Sequence, residues 1–261
     1  MPDSRGRILL VDLPSVSPNE VNLGLGALAA VLRAEGHEVR ILDLNNLKVP
    51  GSRAGRLKDA LAWKPQVVGV SLFPACRVTE EGAREVLQSV RATLGRDALL
   101  IAGGIGITVT PEESARKLAG LADLCIYGEG EVTLSEVVGK HLGGGALEGI
   151  PGTIRYEDSR PVIEPFREFI QDLDTLPFPA YDAFDSVGQH MVEYPMMTSR
   201  GCPFNCIFCL NKTLTRRTFR PRSAENVVAE IAMAKERYTF DALYIWDDHF
   251  SLIRELSLIH I

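Results

Sequence analysis

Three of the chain's five cysteines lie close together in the segment TSRGCPFNCIFCLNK, residues 198–212. Cys202, Cys206 and Cys209 have the spacing C-x3-C-x2-C. In a reducing compartment, clustered cysteines indicate metal binding or catalysis rather than disulfide bonds. A structural zinc site or a ferredoxin cluster takes four protein ligands, and no second cysteine or histidine pair accompanies this loop. Three thiolates on a cubane cluster leave one iron open, so the spacing favours a catalytic iron–sulfur site.

The composition limits the remaining classes of function. The chain has 261 residues, 46% of them hydrophobic, and a net charge of −6. This gives enough core for one large or two medium domains and no general attraction to nucleic acid. The N-terminal residues lack the apolar region of a signal peptide, and no stretch approaches the roughly 18 apolar residues of a membrane span. We expect a cytoplasmic protein with no membrane span and no nucleic-acid partner.

The first half alternates apolar strands with amphipathic helices. Segments such as RILLVDL, HEVRILDL, PQVVGVSLF and ALLIAGG read as strands, and LGLGALAAVLRAEG and EVTLSEVVGKHL read as helices. Nearly continuous apolar strands indicate a parallel sheet that is covered on both faces. The sequence therefore predicts an α/β fold with a doubly wound, Rossmann-like domain over residues 1–150.

Such sheets bind ligands at the carboxyl ends of their strands. The residues predicted there are Asp12, Asp43, Ser71, the glycines at 103, 104 and 106, and GEGE at 128–131. A glycine pair serves either a tight turn or the close approach of a ligand to the backbone, and the sequence leaves both open. The first strand-to-helix turn lacks G-x-G-x-x-G, so a dinucleotide site is not predicted.

A hairpin and linker separate this domain from the cysteine loop, residues 202–209. GTIRYEDSRPVIEP, residues 152–165, reads as two strands around a polar turn, and the proline-rich and acidic segment after it disfavours regular structure. We assign residues 151–190 to the hairpin and linker. Residues 191–255 then read as strand, cysteine loop, a helix from near Ser223, and the strand DALYIWDDHF. This is the β-loop-α-β start of a second α/β domain.

The cysteine loop carries a family resemblance. CPFNCIFC follows a strand and SRG, has Phe208 directly before the third cysteine, and resembles the signature of the radical S-adenosylmethionine superfamily. The resemblance implies that Cys202, Cys206 and Cys209 hold a 4Fe-4S cluster whose open iron chelates S-adenosylmethionine. One electron, from an external donor of flavodoxin or ferredoxin type, then yields a 5′-deoxyadenosyl radical. Phe208 would lie on the loop that approaches the adenine.

The upstream segments resemble the cobalamin-binding class of that superfamily. LGLGALAAVLRAEGHEVRILDL, VVGVSLF, IAGG, YGEGE and DLDTLPFP occur in the order seen in that class. The resemblance implies that the first domain binds cobalamin and presents it to a TIM-type barrel. Ser71, Gly103 and Gly104 match positions that contact the nucleotide tail, and Gly106 lies on the same loop. No histidine occurs before His37, and D-x-H-x-x-G is absent after Asp12, so we expect a cobalt without a protein imidazole ligand.

Two aspartates end the second strand of the predicted barrel. In this superfamily, acceptors for the amino group of S-adenosylmethionine often lie at that position, which gives Asp247 and Asp248 this role. Capping of a helix is the alternative for the pair, and the sequence leaves it open.

The resemblance implies methyl transfer to an unactivated carbon or phosphorus of a small-molecule or natural-product substrate. Ring formation or rearrangement is the alternative chemistry, and no catalytic residue is assigned. A non-catalytic cobalamin-binding module with a structural metal site is a hypothesis from a different class; it predicts zinc at the cysteine loop.

The end of the chain suggests a truncated gene. A superfamily barrel continues well beyond its second strand, and the last six residues, LSLIHI, resemble the translation of a sequencing adapter. We expect the authentic chain to end near Glu255 and residues 256–261 to be a non-native tail. Without most of the barrel, we expect this fragment to be inactive.

Overall fold

The computed structural model describes residues 5–15, 19–73, 77–158, 160–187 and 190–252, without the side chains of 77–79 and 190. The chain divides into two compact units. Unit 1 comprises Met1–Phe169 and Pro179–Ser186, and unit 2 comprises Ile170–Phe178 and Val187–Ile261. Cys76 lies outside the described residues.

Unit 1 is an alternation of strands and helices. Its strands are β1 (Arg7–Asp12), β2 (Glu38–Asp43), β3 (Val67–Ser71), β4 (Leu99–Gly103), β5 (Leu124–Ile126), β6 (Thr153–Glu157) and β7 (Arg160–Ile163). Its helices are α1 (Leu23–Ala34), α2 (Arg53–Ala62), α3 (Arg77–Leu94), α4 (Ile105–Val109), α5 (Pro111–Leu118) and α6 (Gly130–Leu142), with a short 3-10 turn at Tyr181–Ala183.

These strands form one sheet in the order β2-β1-β3-β4-β5-β6-β7. Strands β1 to β5 pair in parallel, and the hairpin β6–β7 extends the sheet in antiparallel fashion. The strand order reverses direction at β1, so helices follow on both sides, as in other doubly wound sheets. The predicted α/β class with a parallel sheet is confirmed.

Side chains alternate between the two faces of this sheet. Leu9 and Val11 of β1 belong to a buried cluster with Leu57 of α2 and Leu87 of α3. Ile8 and Leu10 point to the opposite face because successive strand residues alternate. There α1 packs against α6. Burial on both faces explains why the parallel strands are apolar throughout.

Part of the predicted linker belongs to unit 1. Tyr181 is fully buried, and a Cβ added at Gly26 of α1 would lie 2.6 Å from its ring. The Ala180 amide donates to the carbonyl of Gly26 at 3.0 Å. Phe184 bridges to Ile41 of the edge strand β2. The segment 179–186 thus covers the β2 side of unit 1, although its proline and two aspartates indicate irregular structure.

Unit 2 contains a parallel and an antiparallel strand pair. Its elements are β8 (His190–Met196), β9 (Ser199–Gly201), α7 (Asn211–Leu214), β10 (Phe219–Pro221), α8 (Ala224–Arg237) and β11 (Thr239–Ile245), with a 3-10 turn at Leu173–Thr175. β8 pairs with β11 in parallel, and β9 pairs with β10 in antiparallel fashion. Helix α8 begins next to Ser223, as the sequence predicts, and the Ser223 side chain caps it by accepting from the Asn226 amide.

Within the described part of the chain, no helix has both the length and the apolar character needed to cross a membrane.

Candidate functional site

Four predicted residues lie in a row across the carboxyl edge of the unit 1 sheet. The register pairs Asp43 with Asp12, Asp12 with Ser71, and Ser71 with Gly103. These residues end β2, β1, β3 and β4, so the parallel pairing brings them to one edge. This is the edge at which open α/β sheets bind ligands.

Two buried carboxyl groups form one end of this row. Asp12 and Asp43 are 5% and 1% exposed. Burial raises the pKa of Asp12 from 3.8 to about 7; the hydrogen bond from Asn22 opposes this rise, and the nearby Asp43 adds to it. Burial also raises the pKa of Asp43, against hydrogen bonds from Ser186 and from the Asn45 and Asn46 amides. Protonation of Asp12 near neutral pH avoids two adjacent buried charges.

Asp12 also contacts the residue that caps α1. Its carboxylate accepts from the Asn22 side-chain amide at 2.9 Å. The Asn22 oxygen in turn accepts from the Leu25 amide at 3.1 Å and caps α1. Asp12 therefore holds the side chain that caps α1.

The three glycines at and after the end of β4 have different surroundings. Gly104 has φ +99° and ψ −179°, and a Cβ there would lie 2.6 Å from the Leu72 carbonyl oxygen and 3.0 Å from Ser71 Oγ. At Gly106, a Cβ would lie 3.1 Å from the Phe73 carbonyl oxygen. Both glycines thus admit the backbone that follows β3. Their close contact is with the protein itself.

Gly103 differs from its two neighbours. The nearest atom to a Cβ added there would be the Ile126 carbonyl oxygen at 3.7 Å, an ordinary contact distance. The protein alone therefore does not require glycine at this position. With only small residues at Ser71 and Gly103, the backbone of this edge fits the close approach of a cofactor tail.

The cysteine loop of unit 2 starts from a constrained position. Gly201 ends β9 with φ +90°, and a Cβ there would lie 2.1 Å from the Thr218 carbonyl oxygen. Only glycine has a conformation and a size that permit this contact. The pairing of β9 with β10 therefore fixes the backbone directly before Cys202.

The three loop cysteines are free thiols. Cys206 is exposed, and Cys202 and Cys209 are half-buried. The Cys209 amide donates to the Cys206 carbonyl at 3.1 Å, which closes a turn. Among the described residues, no three His, Cys, Asp or Glu side chains are grouped so that they could hold a metal ion. The structure places the thiols on one loop without bringing them together as a ligand set, and metal binding stays a prediction.

The donor chemistry of this loop nevertheless fits an iron–sulfur cluster. Thiolates are the ligands of such clusters, and all three lie within one irregular segment at the surface. Ile207 and Phe208, between the second and third cysteines, are 92% and 87% exposed. Large apolar side chains exposed next to each other mark a binding surface. By contrast, Cys125 of unit 1 is buried, and burial raises the pKa of its thiol to about 12, which suits an inert core residue.

Asp247 and Asp248 follow β11 at the end where β8 leads to the cysteine loop. Asp248 is exposed. The Asp247 carboxylate accepts from the amides of Thr198 and Ser199 at 2.7 and 3.2 Å, and from their hydroxyl groups. Neither aspartate caps a helix within the described elements. Thr198 and Ser199 have no predicted role; the signal in the sequence is a pair of hydroxyl residues shortly after the first of two parallel strands.

Comparisons with known proteins agree with this arrangement. Residues 11–138 match the family model of the B12 binding domain. The fold is similar to that of the radical S-adenosylmethionine methyltransferase TsrM from Kitasatospora setae, in a structure with cobalamin and a [4Fe-4S] cluster bound. The TM-score is 0.77 and the sequence identity 21%, and the match covers 98% of this chain and 50% of the TsrM chain. OxsB, a cobalamin-dependent S-adenosylmethionine radical enzyme solved with aqua-cobalamin and S-adenosylmethionine, matches with a TM-score of 0.75 and 21% identity over 94% of this chain and 34% of that one.

The predicted resemblance is confirmed: residues 11–138 match the B12 binding domain, and the fold of the chain is similar to part of a radical S-adenosylmethionine methyltransferase. Among curated proteins, an uncharacterized methyltransferase of Pyrococcus horikoshii is 30% identical over 239 residues, which is 90% of this chain and 50% of the relative. The chain thus spans about half the length of this relative.

Proposed function

We propose that this chain is part of a cobalamin-dependent radical S-adenosylmethionine enzyme that transfers a methyl group to an unactivated centre of a small-molecule substrate. The observation that carries the proposal is the combination of a B12-binding domain match with a C-x3-C-x2-C loop that directly follows β9. The methyltransferase relative from Pyrococcus horikoshii supports methyl transfer over ring formation or rearrangement.

In this proposal, Cys202, Cys206 and Cys209 hold a 4Fe-4S cluster. When bound, the cluster supplies the electron that cleaves S-adenosylmethionine, with an external flavodoxin or ferredoxin as the source. Gly201 and the β9–β10 pair hold the base of the loop, and the exposed Phe208 ring offers an apolar face to the adenine. Asp248 is exposed and offers a carboxylate to the cofactor's amino group.

Unit 1 would hold cobalamin at the carboxyl edge of its sheet. Ser71 and Gly103 are adjacent across β3 and β4, and their small size would let the nucleotide tail approach the backbone of this edge. Gly104 and Gly106 shape the same loop by packing on the Leu72–Phe73 backbone. The loop after Asp12 contains no histidine, so the cobalt would have no imidazole ligand from it. An absorption spectrum typical of histidine ligation would contradict this detail.

Metal content separates the enzyme from a non-catalytic cobalamin-binding module with a structural zinc site. The purified 261-residue chain is reconstituted anaerobically with iron and sulfide, and iron, sulfide and zinc are then measured. We expect about four irons and four sulfides per chain and no retained zinc, since one 4Fe-4S cluster has that composition. The variant Cys209→Ser should lose most of this iron.

Cys125→Ser is the matched control because it also removes one thiol, but from the core of unit 1. It should retain the wild-type iron content. One tightly retained zinc per chain, with no iron–sulfur cluster under any reconstitution condition, would contradict the proposal and favour the binding module.

A further inference from the structure

The end of β11 is tied to the segment that precedes the cysteine loop. Asp247 Oδ1 accepts from the amides of Thr198 and Ser199 at 2.7 and 3.2 Å. Its Oδ2 accepts from Thr198 Oγ1 at 2.5 Å and from Ser199 Oγ at 2.8 Å. Thr198 and Ser199 are 0% and 1% exposed. One carboxylate thus satisfies four buried donors.

The strand register explains why these groups meet. β8 and β11 pair in parallel with Met196 opposite Ile245, and the Trp246 amide donates to the Met196 carbonyl at 2.8 Å. Two residues further along each strand, Thr198 lies opposite Asp247. Asp247 therefore meets the chain four residues before the first cysteine of the loop.

The number of hydrogen bonds decides what Asp247 can do. An ionised carboxylate has two oxygens with about four lone-pair sites. Two donors reach each oxygen of Asp247, so an ammonium group could be accepted only by displacing a buried amide or hydroxyl. A buried donor without a partner is costly, because it has lost water as well. Asp248 is exposed, and the four donors of Thr198 and Ser199 bond to Asp247 instead.

We propose that Asp247 is a positioning residue that holds Thr198–Gly201, and with it the start of the cysteine loop, while Asp248 is left to contact the cofactor. This inference rests on the proposed function. It assigns different roles to two adjacent aspartates that the sequence alone treats alike. The loop is then fixed from two sides, by Asp247 at Thr198 and Ser199 and by the β9–β10 pair at Gly201.

Hydrogen–deuterium exchange of the metal-free 261-residue chain provides the first test. We compare the wild type with Asp247→Ala, Asp247→Asn and the matched control Asp248→Ala. Asp247→Ala should accelerate exchange of residues 198–209 by about tenfold or more, since it removes hydrogen bonds to a charged acceptor. Asp247→Asn should have a smaller effect, because its oxygen still accepts from both amides and its NH₂ can donate to the two hydroxyl groups. Asp248→Ala and the strands of unit 1 should exchange as in the wild type.

The second readout is the cluster before S-adenosylmethionine is added. After reconstitution, Asp247→Ala should bind several-fold less iron and give an altered electron paramagnetic resonance spectrum, with Asp247→Asn intermediate. Asp248→Ala should retain the wild-type iron content and cofactor-free spectrum and lose only the change caused by S-adenosylmethionine.

Two results would overturn the inference. In the first, Asp247→Ala has the exchange rates and cofactor-free spectrum of the wild type and loses only the response to S-adenosylmethionine, as a direct cofactor ligand would. In the second, faster exchange stops at Ser199 and does not reach the cysteines. If the wild type assembles no cluster, the proposed function fails, and the exchange of residues 202–209 still decides whether Asp247 positions the loop.

Discussion

Adjacent glycines after β4 allow protein packing and ligand binding to be separated by experiment. In Gly104→Ala, the new Cβ would lie 2.6 Å from the Leu72 carbonyl oxygen, at φ +99° and ψ −179°. This backbone region is essentially restricted to glycine and costs about 1–3 kcal/mol for other residues. With the clash against backbone atoms, we expect a loss of about 2–4 kcal/mol in the free energy of unfolding.

Gly103→Ala is the matched variant, with the same added methyl group one residue earlier. Its Cβ would meet nothing closer than the Ile126 carbonyl oxygen at 3.7 Å. The substitution also reduces the freedom of the unfolded chain, which stabilises a protein by about 0.4–1 kcal/mol where the backbone permits alanine. We therefore expect the free energy of unfolding to stay within about 1 kcal/mol of the wild type, while the methyl group occupies the space proposed for cobalamin.

Thermal unfolding of the cobalamin-free chain and an absorbance titration with cobalamin measure the two effects. Gly104→Ala should lower Tm by about 5 °C or more, given roughly 2–4 °C per kcal/mol for domains of this size. Gly103→Ala should keep the wild-type Tm and bind cobalamin about tenfold or more weakly. A wild-type Tm in Gly104→Ala would refute the packing argument, and wild-type affinity in Gly103→Ala would refute the placement of the ligand.

Two further predictions concern Asp12 and Gly201. The folded protein binds the Asp12 proton more tightly than the unfolded chain does, since folding raises the pKa of Asp12 from 3.8 to about 7. The free energy of unfolding should therefore fall as pH rises. The fall is about 3 kcal/mol between pH 5 and 8, at 1.36 kcal/mol per pKa unit. Asp12→Asn should reduce this loss in denaturant titrations at the two pH values, and an unchanged pH dependence would contradict the argument. In Gly201→Ala, the new Cβ would lie 2.1 Å from the Thr218 carbonyl oxygen. This variant should incorporate several-fold less iron and bind cobalamin with unchanged affinity. Full iron incorporation would show that the β9–β10 contact does not control the cysteine loop.

Local patterns predicted much of the fold. Continuous apolar runs indicate the parallel strands because both faces of the sheet are buried. In β1, Leu9 and Val11 on one face and Ile8 and Leu10 on the other are all buried. Ser223 indicated the start of α8 because a serine cap acts over three residues. Helix α2 was not predicted: only Leu57 and Leu61 are buried along its ten residues, so its apolar pattern is weak.

Contacts between distant segments could not be predicted in this way. The role of Gly104 depends on Leu72, 32 residues earlier, and the hydrogen bonds of Asp247 depend on the register of β8 and β11. The fixing of Pro179–Ser186 on unit 1 depends on Tyr181 reaching Gly26. In each case the residue types were visible, but the partner was set by the strand order and pairing of the folded chain.

Electron paramagnetic resonance of the reconstituted and reduced chain, with and without S-adenosylmethionine, tests whether the cysteine loop holds a cluster with an open iron. We expect a reduced 4Fe-4S signal that changes when S-adenosylmethionine is added, because three cysteine ligands leave one iron open. A cluster whose spectrum is identical with and without S-adenosylmethionine, in a chain shown by circular dichroism to be folded, would contradict an open iron at Cys202, Cys206 and Cys209.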